Sequence, residues 1–190
     1  MNTTTMRRLA TGTALTALAT TLVAGSATAE TTTFKDGRGD LDHGADIVRV
    51  RVVNEDRVKV RVVHRDLVRS YESGSSMALF LDTDRSRKGP EFVFVGGTFE
   101  GADYALLRAK GWKPRSRQAV PLRCGYDMAL DYSRDTATVR LDRDCLGDPG
   151  RIRVEVKTGG EMVPAGDEPA TTGVDWLGAP RTFTPWVTRG

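Results

Sequence analysis

Two neighbouring stretches, DIVRVRVVN at 46–54 and RVKVRVVH at 57–64, constrain this chain more than any other feature. Apolar and charged residues alternate in both: Val48, Val50 and Val52 against Arg49 and Arg51, then Val58, Val60 and Val62 against Lys59 and Arg61. A period of two sorts side chains onto opposite faces of an extended chain, so these are half-buried antiparallel strands. Asn54-Glu55-Asp56 between them is turn chemistry. Both apolar sets are even-numbered, so pairing Val52 with Val58, Val50 with Val60 and Val48 with Val62 keeps one face apolar. That register sets Asp46 opposite His64.

Six further segments read as strands: 76–82, 91–96, 103–109, 125–132, 136–142 and 151–158. In the last, Ile152, Val154 and Val156 face inward and Arg151, Arg153, Glu155 and Lys157 outward. A second hairpin closes around Ser133-Arg134-Asp135-Thr136, with expected pairs Tyr132–Ala137, Leu130–Val139 and Met128–Leu141. Continuing that ladder brings Cys124 opposite Cys145. About eight short strands between Gly/Pro/Asp turns predict an all-β fold, a two-sheet antiparallel β-sandwich of jelly-roll or immunoglobulin-like kind.

Upstream of the strands, Arg7 and Arg8 precede an uncharged Ala/Thr-rich run, 9–25, that ends in an A-x-A site, Ala27-Thr28-Ala29. This predicts a secretory signal peptide over 1–29, cleaved after Ala29, and a secreted protein. The run is weakly hydrophobic beside the ~20 strongly apolar residues of a membrane span, so no membrane span is expected. The remainder divides into an acidic lead-in (30–45), the sandwich (46–158), a polar linker (159–173) and an aromatic tail (174–190). The tail carries Trp176, Phe183 and Trp186 and is expected to lie across an apolar face of the sandwich. The first 29 residues hold two arginines and no acid, so the formal charge of the rest is +1 rather than +3. Nothing in that balance suggests nucleic acid as a partner. In an exported chain the only two cysteines, Cys124 and Cys145, form a disulfide, and one sandwich of this size is expected to be a monomer.

Candidate sites come from three residue types. Asp36, Asp40, Asp42 and Asp46 space carboxylates like ligands of an irregular calcium loop. Asp82 and Asp84 open a second loop in the i, i+2 manner, but Arg87 and Val93 stand where the sharp-turn glycine and bidentate glutamate belong, so a polar turn is expected there. Through its predicted place opposite Asp46, His64 is either a transition-metal ligand or one half of a His–Asp pair fixing the strand end, the second reading being preferred. Trp112, Trp176, Trp186 and Tyr104 could stack on sugar rings, although such residues more often fill a sandwich core or pin a tail. Arg38-Gly39-Asp40 spells an adhesion tripeptide, yet nothing flanks it as a stapled tip would. Catalytic motifs of the G-x-S-x-G or H-E-x-x-H kind do not occur, and the chain is not expected to be an enzyme.

The order of features, from DIVRVRVV through LFLDTD, a Gly-Pro-Glu turn and a tryptophan to DCLGDPGRIRVEV, resembles the DOMON and family-9 carbohydrate-binding-like sandwiches. It is closer still to secreted actinobacterial proteins with the same LDTD, GPE, DY, W order. The resemblance implies a non-catalytic binding module for extracellular glycan or cell-envelope material, with calcium near the strand ends. Trp112 and Asp36, Asp40, Asp82 and Asp84 occupy the matching positions. The alternative is a structural or inhibitor-like protein that binds another secreted protein; a hydrolase comes third.

Overall fold

The computed structural model describes residues 30–116, 118–162 and 171–190. The expected signal peptide therefore lies outside the described residues, as does 163–170 of the expected linker. Among the described residues eleven strands form: β1 Glu30–Lys35, β2 Ile47–Asn54, β3 Arg57–His64, β4 Ser76–Asp82, β5 Phe92–Gly97, β6 Tyr104–Arg108, β7 Tyr126–Asp131, β8 Thr136–Asp142, β9 Arg151–Met162, β10 Thr171–Trp176 and β11 Val187–Thr188. One antiparallel sheet runs β1-β2-β3-β8-β7, the other β10-β9-β4-β5-β6, and β11 pairs with β9. The two sheets pack face to face, as an all-β sandwich requires. Fully buried Val50, Val52, Val60 and Val62 from one sheet meet Leu79, Leu81, Phe94, Val154 and Val156 from the other. Burying each such side chain stabilises the fold by roughly 1.5–3 kcal/mol.

Except at Val48 the faces of both predicted hairpins hold, but their registers move by two residues. β2 and β3 pair Val52 with Val60 and Val50 with Val62, and a bulge at Val48 turns Ile47 inward opposite His64. The reason is Asn54, which is not a turn residue but the last inward position of β2. It is fully buried; its amide donates to the Val187 carbonyl at 2.9 Å and its Oδ1 accepts from Arg143 at 2.6 Å. In the second hairpin Leu130 pairs with Ala137 and Met128 with Val139, across a four-residue turn in which Asp135 takes φ +52°.

The disulfide Cys124–Cys145 forms as expected, Cα atoms 5.6 Å apart, although not by continuing that ladder. A 3₁₀ turn at Arg143–Leu146 swings Cys145 back toward Cys124. With the cysteines 21 positions apart in sequence, replacing both by serine should lower stability by about 3 kcal/mol in the chain-entropy account. Denaturant melts measure this, and a loss below about 1 kcal/mol would show that the loop is already ordered when unfolded.

Two expected irregular regions contain strands. The lead-in begins as β1, where Thr32 and Phe34 face the sandwich opposite Val52 and Val50. The polar linker is strand at both ends, because β9 runs on to Met162 and pairs with β10 from Thr171. Gly159 and Gly160 read as strand breakers, yet close approach explains them: a Cβ on Gly160 would collide with the His43 ring. The tail follows β9, with Leu177 N–H bonded to Val156 O and Thr184 N–H to Val154 O, both 2.9 Å.

Candidate functional site

The acidic lead-in folds around one carboxylate. Asp46 is fully buried and accepts the backbone N–H of Gly39 at 3.0 Å and of Leu41 at 3.2 Å. Those bonds hold the Arg38-Gly39-Asp40 turn back against the domain. Asp42 points away, exposed, to Arg65 at 3.2 Å. Of the four lead-in acids Asp36 and Asp40 converge with Asp175 of β10, ligand oxygens within 4.8 Å of one another, and the Asp46 carboxyl lies beside that of Asp40. Asp175 accepts from Ile47 N–H at 2.7 Å and Asp36 from Gly178 N–H at 2.7 Å, while Asp36 Oδ2 is buried without a partner. Burial raises the pKa values of Asp36 and Asp40 and pushes Asp175 up to about 6. Glu155 of β9, fully buried, is pushed up to about 8, chiefly by burial and further by the Asp36 charge. One of its oxygens accepts Thr182 N–H at 2.9 Å and the other has no partner.

His64 takes no part in this cluster, which corrects both readings of it. Its Nδ1 lies 3.0 Å from the Ala45 carbonyl and so carries the proton, whereas its buried Nε2 has no partner. Burial lowers its pKa to about 4, so it is neutral near pH 7. Asp82 and Asp84 also fail to converge. Asp82, fully buried, holds the Arg153 guanidinium at 2.8 and 2.6 Å, and Asp84 caps Ser86 at 2.9 Å. The polar-turn reading of that loop stands.

The tryptophans close on one another over the outer face of the second sheet. Phe80 meets Trp112 edge-on at 5.2 Å and stacks with Trp176 at 6.1 Å; Trp112 packs on Phe183 at 4.7 Å. Arg153 lies over Phe183 and Trp186, each at 4.7 Å. All three tryptophans are half-buried in a packing role, which pins the tail and the 109–119 loop to the sheet.

Tyr104 is placed differently. It is 39% exposed at the edge strand β6, stacked on Phe94 at 5.6 Å and edge-on to Tyr126 at 6.3 Å. Between it and β7, the edge strand of the other sheet, runs a groove of about 250 Å³ whose lining includes Phe99, Glu100, Met128, Leu130 and Tyr132. The Tyr132 hydroxyl is buried without a hydrogen-bond partner. Arg69 sits 4.8 Å above the Tyr132 ring and bonds Glu100 at 2.9 Å. Burial and then the Glu100 charge raise the Tyr132 pKa, so the phenol keeps its proton. Tyr132, Arg69 and Glu100 were missed because they come from three distant turns, and Tyr132 carries the same alternation signal as any core residue.

No protein-family model matches the chain, and no curated protein matches it. Fold and bonding define its class as a disulfide-linked all-β sandwich of two antiparallel sheets. Among the described residues no helix is long and apolar enough to cross a membrane.

Proposed function

We propose that this is a secreted, non-catalytic binding module for extracellular glycan or cell-envelope material, and that the groove between β6 and β7 receives a sugar ring. The observation that carries the reading is the pairing of exposed Tyr104 with the unpartnered Tyr132 hydroxyl beside the Arg69–Glu100 ion pair. A pyranose offers a C–H face to an aromatic ring and hydroxyls at its rim, which is what these groups complement. Glu100 is the one carboxylate in the groove lining, whereas glycoside hydrolysis needs two facing acids. The resemblance to carbohydrate-binding-like sandwiches agrees with this; of the aromatic residues expected to stack, Tyr104 lines this groove, while Trp112 and Trp176 pack against Phe80.

A glycan array followed by calorimetric titration tests it. Tyr104→Ala should weaken the best neutral glycan about fivefold or more, in keeping with ~1 kcal/mol per stacked ring. Tyr132→Phe should weaken the same glycan while raising stability by about 1 kcal/mol, because it removes a buried unsatisfied hydroxyl. Unchanged affinity in both variants, or an array with no bound glycan, sinks the reading.

A further inference from the structure

The outer face of the first sheet collects positive charge in a pattern that only strand pairing reveals. Side chains at odd positions of β1, of β2 from Arg49 onward and of β3, and at even positions of β8, point away from the core. Three successive rungs then each carry a cross-strand pair of cations: Lys35 beside Arg49, Arg51 beside Arg61, and Lys59 beside Arg140. Each pair is displaced one strand from the last, so the pairs form a diagonal band from β1 to β8.

The band is mostly uncompensated. Arg140 is held by Asp127 at 2.8 Å, and Arg57 below it by Asp142 at 2.6 Å. Among the described residues Lys35, Arg49, Arg51, Lys59 and Arg61 form no ion pair. Like charges directly across a ladder destabilise a sheet, and Arg61 in addition buries its Nε without a hydrogen-bond partner. The surface is concave at two places that meet at Arg51, with volumes of about 250 and 450 Å³. Thr31 and Thr33 line them between the cations.

We propose that this face docks a linear acidic polysaccharide, a chain bearing a carboxylate on its sugar units, laid along the diagonal of cation pairs. Arg51 and Arg61 sit side by side, where each guanidinium can grip a carboxylate with two parallel hydrogen bonds. Successive pairs are offset by one strand, ~4.8 Å, and by two residues along it, ~6.7 Å, so they stand about 8 Å apart, on the scale of two pyranose units, and meet alternate carboxylates of such a chain. Threonine hydroxyls between the cations suit the hydroxyls of a sugar chain. The outward positions of these strands carry no aromatic ring, and so provide no platform on which nucleic-acid bases would stack. This site is separate from the β6–β7 groove and stands or falls without it.

The test is binding of the whole protein to polygalacturonate, with neutral dextran and a single-stranded oligonucleotide as the other arms. Polygalacturonate should bind, with affinity falling at least tenfold as salt rises from about 50 to 200 mM. The double variant Arg51→Gln/Arg61→Gln should lose at least tenfold, and Tyr104→Ala should leave this binding unchanged. Relief of the like-charge pair means the double variant should melt no lower than the parent, so a loss of binding is not a loss of fold. If that variant does unfold, the salt series on the parent protein decides. Three results overturn the proposal: dextran bound as well as polygalacturonate, binding indifferent to salt, or the oligonucleotide bound as tightly at equal charge.

Discussion

Raising the pH from about 5 to about 9 should lower the melting temperature by roughly 5–15 °C, a loss of about 2–4 kcal/mol. The cause is Glu155, whose folded pKa of about 8 lies well above its ordinary 4.5 because burial disfavours the anion. A carboxyl with a raised folded pKa binds its proton more tightly folded than unfolded. Its contribution is therefore fully present below pH 4.5 and is lost as pH rises through about 8. Asp175, pushed from 3.8 to about 6, adds a smaller loss at the lower end of the window, which His64 opposes, because a histidine buried neutral gains stability as pH rises through 6.5. Glu155→Gln keeps the shape and an acceptor for Thr182 N–H but cannot ionise. It should remove the upper part of the slope and melt above the parent at pH 9. A flat parental profile, or a variant that tracks the parent throughout, contradicts this account. Calcium offers the acids a second way to lose their repulsion. Uptake at Asp36, Asp40 and Asp175 would raise the melting temperature near neutral pH, an effect Asp40→Asn would remove; equal melts in calcium and EDTA retire the calcium expectation.

Arg153→Leu should cost about 3–5 kcal/mol, because it leaves the fully buried Asp82 carboxylate without its charge partner. The same change removes the guanidinium that stacks on Phe183 and Trp186, so tail packing should loosen with it. Denaturant melts followed by tryptophan fluorescence read both effects. Adding Asp82→Asn to Arg153→Leu should recover half or more of the loss, since the amide carries no charge to strand. A single-variant cost under about 1 kcal/mol would mean that water reaches Asp82 and the pair is not a buried one.

Much of the sandwich was legible because alternation is a local signal. Val50, Val52, Val60 and Val62 declare their face from sequence alone, and the aromatic tail declares that it must be covered. Register was less legible for the same reason. Shifting a hairpin by two residues keeps every apolar residue on the apolar face, so pairing Val52 with Val58 or with Val60 satisfies the pattern equally. What selected the second was Asn54, whose buried amide is satisfied by Val187 and Arg143, 133 and 89 residues away. β1 and β10 were obscured by threonine and glycine, which carry little hydrophobic contrast although both pair well along a ladder.

The candidate sites divide along that line too. Asp36 and Asp40 could be picked from the lead-in, but Asp175 and Glu155 reach the same end from strands more than a hundred residues later. Sequence by itself determined β2 to β9, most of their faces, the cysteine pair and the need to cover the tail, because each follows from residue type and a period of two. The tertiary structure decided which charges meet. It buried Asp82 against Arg153, enclosed Glu155, and set Arg51 beside Arg61. A near-neutral net charge is a sum over the chain and carries no positions, whereas electrostatic energy depends on the distance between charges and on the water left around them.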